Sequence, residues 1–175
     1  MNKIALIALG ACRKENPYQQ HMTYITSPGI RYVKASLCDY GFNAEIIDQP
    51  NENILDGEII EKIRTFNPDL VLFNQFFSTR KQIRNIIDSL RDSYPTGIGG
   101  HDVTFQVDYL PENDLNEKYH GVDFLWRGEA DLGLAEYIDS FKRSGAVSII
   151  DNRPNRVHDL DSLPVLTHDD YAGEI

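Results

Sequence analysis

Cysteine is scarce in this chain: Cys12 and Cys38 are the only two in 175 residues. Two thiols so far apart cannot build a disulfide framework, and they fall short of a zinc or iron–sulfur ligand set. Cys38 lies on a helical pattern and reads as a small buried hydrophobe. Positive charge is also short, with 17 Lys and Arg against 27 Asp and Glu and a formal net charge of −10. The basic residues alternate with acids instead of clustering, so no nucleic-acid partner is expected. Long apolar runs are missing too. The longest, Ile4 to Leu9, is far below the roughly 20 residues of a membrane span. With one Lys before it and no small-residue cleavage site after it, it does not read as a signal peptide. The expectations are a cytoplasmic location and no membrane partner.

What is present is ordinary for a globular protein: 41% hydrophobic and 25% charged residues, which excludes wholesale disorder. The length suits one domain with a short appendage. Ile4-Ala5-Leu6-Ile7-Ala8-Leu9 is uninterruptedly apolar and stops at Gly10, the pattern of a strand buried on both faces. Ile30, Val33, Leu37 and Tyr40 then recur at helical spacing, with Gly41 as the stop. Ala44 to Asp48 reads as a second strand, and Leu55, Ile59, Ile63 and Phe66 as a second helix stripe. Pro68-Asp69 introduces the strand Leu70 to Phe73, and Ile83, Ile86, Ile87 and Leu90 mark the next helix face. Thr96 to Gly99 predicts a fourth strand, Val122 to Trp126 a fifth, and Leu134, Ile138 and Phe141 a last helix stopped by Gly145. In the polar stretch from Asp102 to Gly121, only a helical turn at Leu110-Pro111-Glu112 is expected.

Such alternation predicts a parallel sheet with helices on both faces, joined by right-handed crossovers. The expected fold is α/β, a flavodoxin-like (Rossmann-like), doubly wound five-stranded sheet in the order 2-1-3-4-5, covering residues 1–147. From Ser148 the periodicity ends. Residues 148–175, with the turn Asp151 to Arg156 and the acidic, Pro-containing stretch from His158 to Tyr171, read as an extended C-terminal strap or linker.

In an open parallel sheet, ligands bind outside the carboxyl ends of the strands. The familiar chemistries fail there one after another. A dinucleotide loop needs G-x-G-x-x-G, whereas Gly10-Ala11-Cys12-Arg13-Lys14-Glu15 has one glycine. A flavodoxin-type phosphate loop would be short and hydroxyl-rich, and this one is long and carries Arg13, Lys14, Asn16 and Pro17. A phospho-receiver would need acids where Leu9 and Asn74 stand. There is no P-loop and no G-x-S-x-G elbow, and Ser78 reads more simply as the N-cap of the following helix than as a nucleophile. The five histidines (His21, His101, His120, His158 and His168) show no i, i+4 metal spacing. No catalytic residue is assigned.

Three loops remain distinctive. Gly97-Ile98-Gly99-Gly100 sets three glycines in four residues at the ligand edge. Either a tight turn or a close backbone approach would account for them. Arg127-Gly128-Glu129 ends the fifth strand, where Glu129 also suits a helix N-terminus. Asn74, Gln75, Phe76 and Phe77 set amides beside two aromatics that something should cover, a ligand or a second domain.

Taken in order, Gly99-Gly100, Thr104, Pro111-Glu112, Val122-Asp123 and Gly128-Glu129 resemble the cobalamin-binding domain that precedes the catalytic barrel of many radical S-adenosylmethionine enzymes. Asp159-Leu160-Asp161-Ser162-Leu163-Pro164 is similar to the acidic Leu-Pro strap that leads into that barrel. The resemblance implies a corrin ring across the carboxyl edge of the sheet and a nucleotide tail in a slot beside the Gly-Gly strand. It would set Gly99 and Gly100 along the slot, Gly128 and Glu129 beside it, Asn74, Gln75, Phe76 and Ser78 near the ring, and the loop from Gly10 below it, with His101 also among the cofactor-binding residues.

The D-x-H-x-x-G signature is absent, so the resemblance implies cobalamin held without a histidine lower ligand; His21 lies in the corresponding loop but too far from Gly10 to match. His101-Asp102 replaces the family's common Pro-His, and Asn74 a frequent hydroxyl residue. The radical enzymes' Cys-x-x-x-Cys-x-x-Cys motif is also absent, so S-adenosylmethionine and an iron–sulfur cluster belong to a partner catalytic domain, in cis or in trans. The expected function is a cobalamin-presenting module of a radical S-adenosylmethionine enzyme, of the methyltransferase type. The alternative is a degenerate copy of the fold that serves as an interaction or scaffold domain without a corrinoid.

Overall fold

The computed structural model describes residues 1–10 and 27–155, together with Asp159, Asp161, Leu163, Pro164 and Leu166. Cys12, His21, His158, His168 and most of the expected strap lie outside the described residues. The strands are β1 (Lys3–Ala8), β2 (Asn43–Asp48), β3 (Leu70–Asn74), β4 (Thr96–Gly99), β5 (Phe124–Arg127) and β6 (Ser148–Asp151). They form one sheet in the order β2-β1-β3-β4-β5-β6, and each neighbouring pair is parallel. The expected order is therefore extended by a strand. β6 escapes a periodicity search because it is four residues long, lies at the sheet edge and buries no residue fully.

The helices are α1 (Pro28–Tyr40), α2 (Gln49–Glu52), α3 (Asp56–Phe66), α4 (Arg80–Leu90), α5 (His101–Tyr109), α6 (Glu112–Lys118) and α7 (Leu134–Ser140), with a 3-10 turn at Phe77–Thr79. α1 begins on a proline, which lacks only an N–H that no helix would use there. It ends at Gly41, whose φ of 106° lets its N–H and that of Phe42 reach back to the carbonyls of Cys38 and Leu37. Cys38 itself is exposed, not buried, because the apolar stripe of α1 runs through Ile30 and Leu37 on another side. Tyr40, at 48% exposure, leaves that stripe and stacks on Phe42.

The segment from His101 to Lys118 forms two helices where only a turn was expected. The inward positions of α5 are Asp102, Val103 and Gln106, two of them polar, so no apolar stripe announces the helix. The cap of α4 also differs from expectation. The cap residue is Thr79, not Ser78, and its hydroxyl serves the preceding 3-10 turn, accepting from the Phe76 N–H and donating to the Phe76 carbonyl, both at 3.1 Å.

Two apolar layers flank the sheet. Ala5, Ile7, Val71, Phe73, Ile98 and Leu125 face α3, α4, α5 and α6. Ile4, Leu6, Leu70, Leu72, Phe124 and Trp126 face α1 and α7. The alternation of strand side chains assigns each residue to its layer. On β4 it leaves the α1–α7 face to two residues without side chains, Gly97 and Gly99.

Candidate functional site

The two β4 glycines have different fates. The ring of Phe124 lies over Gly97, so a β-carbon there would overlap it. Beside Gly99 a β-carbon would meet only Trp126, at ordinary contact distances of 3.6 and 3.8 Å, and its backbone φ is not positive. Among the described residues nothing requires glycine at 99. The missing side chain instead opens a cavity of about 340 Å³ between the sheet and the helices α1 and α7. Leu6, Leu72, Phe124 and Trp126 line its sheet side, Ile30, Val33 and Leu134 its helix side. Its rim carries Ser27, Asn74, Gly100, His101, Gly128, Glu129 and Asp131.

Gly100 is constrained by the fold. Its φ is 108°, and a β-carbon would stand 2.5 Å from Asn74 Oδ1 and 2.8 Å from the Gln75 carbonyl. The sharp reversal brings the β3 loop against the start of α5. Thr104 then ties two rim loops together: its hydroxyl donates to the Gly100 carbonyl at 3.3 Å and accepts from the Gly128 N–H at 3.1 Å. Gly128, at φ 97°, lies tight against the Arg153 backbone. Gly10 is closed off by Pro50, 2.6 Å from where a β-carbon would stand.

Behind the rim lies a buried polar network. The Arg80 guanidinium donates twice to the Asp102 carboxylate, Nε to Oδ2 at 2.5 Å and Nη2 to Oδ1. Gln75 Nε2 donates to Asp102 at 2.8 Å and to the Tyr119 hydroxyl at 3.0 Å. The guanidinium holds the Asp102 carboxyl below its ordinary pKa of 3.8, and burial pushes the Tyr119 hydroxyl up. Gln75, expected near a ligand, is thus turned inward and pins the loop. At the rim itself, burial and the charge of Glu129 raise the pKa of Asp131.

A second, more open cavity of about 640 Å³ lies over the carboxyl edge, lined by Phe76, Phe77, Ser78, His101, Asp102, Thr104, Phe105, Asp108 and Tyr109. Four aromatics stand exposed around it: Phe76 at 44%, Phe77 at 76%, Phe105 at 59% and Tyr109 at 71%. Phe105 and Tyr109 stack on one face of α5, and Arg80 lies over Phe77. So much apolar surface at one edge is unusual for a face left in water.

Of the sequence candidates, Asn74, Phe76, Gly99, Gly100, His101, Gly128 and Glu129 converge on the first cavity, and Phe76, Ser78 and His101 on the second. Gly10 and Gln75 line neither. The apolar walls carry no mark of their own in the sequence, where Leu6, Leu72, Phe124 and Trp126 look like any strand residues. Following every second residue of β1, β3 and β5 would have grouped them. Among the described residues no cluster of His, Cys, Asp or Glu could hold a metal ion, and no helix is long and apolar enough to cross a membrane.

The first cavity is thus a slot with a wall position left open at Gly99, and the second a broad edge bordered by exposed aromatics. Comparison with known proteins agrees in family. Among solved structures, the chain is similar to the cobalamin-dependent S-adenosylmethionine radical enzyme OxsB, solved with aqua-cobalamin and S-adenosylmethionine bound. The TM-score is 0.63 at 16% identity, over 80% of this chain and 18% of that one. The chain thus corresponds to a small part of that enzyme's length. A search of curated proteins returns no match. The sequence model of the B12 binding domain matches residues 22–138, which contain Gly99, the rim glycines Gly100 and Gly128 and most of the cavity wall, and the chain belongs to the B12-binding domain family.

Proposed function

We propose that this chain binds cobalamin and presents it to a radical S-adenosylmethionine active site, supplied in cis or in trans, for a methyl-transfer reaction. The observation that carries the reading is the opening at Gly99, a wall position that no described residue requires to be glycine. Gly99 and Gly100 would border the nucleotide tail, with Asn74, Gly128 and Glu129 beside it. The N-terminus of α1, with its cap residue Ser27 and Gly29 lining the cavity, suits an anionic phosphodiester, since helix N-termini favour negative charge. Phe76, Ser78 and His101 would lie under the corrin edge. The bound corrinoid supplies a cobalt centre that can carry a methyl group. The residues of this chain bind and orient it and exclude water from the tail. No axial histidine is assigned.

The segment from residue 148 opens with β6 and, in this reading, continues as the strap toward the catalytic domain. That domain would cover the exposed aromatics of the edge. The same aromatics favour a second reading, an interaction domain that binds no corrinoid, which leaves the Gly99 opening unexplained. The two separate on a simple measurement. The purified chain is incubated with hydroxocobalamin, desalted, and its visible spectrum recorded. Stoichiometric corrinoid absorbance carried with the protein is the expected result; none at high protein concentration overturns the cobalamin reading in favour of the second.

A further inference from the structure

The first cavity is chemically uneven from mouth to floor. Its polar side chains, Ser27, Asn74, His101, Glu129 and Asp131, stand at half-buried or exposed positions. Its inner wall is Leu6, Ile30, Leu72, Phe124, Trp126 and Leu134, each between 0% and 7% exposed. The polar groups nearest that wall are already engaged. Trp126 Nε1 donates to the Glu129 carbonyl at 3.0 Å, and the same carbonyl accepts from Asn152 at 2.7 Å. The Gly99 carbonyl accepts from the Gln75 N–H at 2.8 Å, and the Gly100 carbonyl from the Thr104 N–H at 3.2 Å. Among the described residues, a ring entering this space would meet aliphatic and aromatic surface and little that can donate or accept.

We propose that the chain discriminates among corrinoids by their lower base, taking a base poor in hydrogen-bonding groups, a benzimidazole or a phenol, and rejecting adenine. The inference rests on the reading that the nucleotide tail occupies the first cavity. Leu6, Leu72 and Leu134 would offer a dimethylated benzimidazole apolar surface, and Phe124 and Trp126 aromatic surface. Adenine brings an exocyclic amine and further ring nitrogens, which water satisfies outside and the inner wall does not. Burying such groups without partners disfavours them. An apolar pocket discriminates against an added polar group by a factor of roughly ten to a hundred.

The experiment uses the whole chain and three probes: hydroxocobalamin, the corresponding corrinoid with adenine as lower base, and cobinamide, which lacks the nucleotide. Affinities are measured by equilibrium dialysis and by quenching of Trp126, the single tryptophan of the sequence. The expected order is hydroxocobalamin tightest, by ten- to a hundredfold, with the adenine form falling to the level of cobinamide. Equal affinity for the two complete corrinoids, both above cobinamide, or a preference for the adenine form, would overturn the selectivity and leave the tail in its cavity. Equal affinity for all three, or no binding of any, would overturn the tail reading and the selectivity with it.

Discussion

The two faces of the sheet are built from the same strands and finish differently. Beneath α3 to α6 every inward strand position carries a side chain, and Ile83, Ile86, Ile87 and Leu90 of α4, each at most 1% exposed, close over them. Beneath α1 and α7, β4 contributes two glycines; the ring of Phe124 covers one, and the other borders a cavity. The difference is one of place along the strand. A glycine in the strand interior makes room for a neighbour in the same sheet, whereas one at the carboxyl end makes room for something that arrives from outside. One face therefore stores stability and the other stores space.

Substitutions that act on one face alone test this division. The largest effect is expected from Ile86→Ala, a cavity in the filled face. It should lower unfolding stability by about 4 kcal/mol in chemical denaturation and leave corrinoid affinity of the folded fraction unchanged. A parallel loss of affinity would show that the faces are coupled. Arg80→Ala comes next, at about 3 kcal/mol, because it strands the Asp102 carboxylate in a buried network. Its sign with pH follows from the depressed Asp102 pKa. The stabilisation is fully present above the ordinary value of 3.8 and is lost as pH falls through the lower folded-state value. Denaturation midpoints across the acid limb should therefore fall in the parent chain and change less in the variant.

Gly99→Val should reverse the pattern. Branched carbons in the opening should cut hydroxocobalamin affinity about a hundredfold, a little under 3 kcal/mol, while the melting temperature moves by only a few degrees. A large loss of stability would mean that the glycine serves the fold. The smallest effect is expected at Asp131→Asn. The raised pKa of Asp131 means that the folded state favours its protonated form, so stability is lost as pH rises from 3.8 through the raised value. The amide should remove that pH dependence and gain less than about 1 kcal/mol near neutrality, read by thermal scans from acid to neutral pH.

The sequence was most legible where burial was complete. β4 has the expected bounds, and the α4 stripe is the buried face of its helix. It was least legible where tertiary partners replace periodicity. α5 turns Asp102 and Gln106 inward, and the inward position of Asp102 makes sense only beside Arg80 and Gln75, far away in the chain. Gln75 itself looked like a ligand-facing amide, and its partner Tyr119 is 44 residues distant. Glycine was the hardest residue to read. Gly10, Gly99, Gly100 and Gly128 look alike in one dimension, yet three are demanded by a neighbouring atom or a positive φ and only Gly99 by open space.

Phe124 has a consequence for reach. Its ring, lodged over Gly97 and braced by Tyr137 and Phe141, is a stop in the inner wall of the first cavity, and it would limit how far an appendage seated there could reach. Trimming that stop to leucine would lengthen the cavity by the width of part of a benzene ring. A relative that carries a smaller residue there would be gauged for a longer guest.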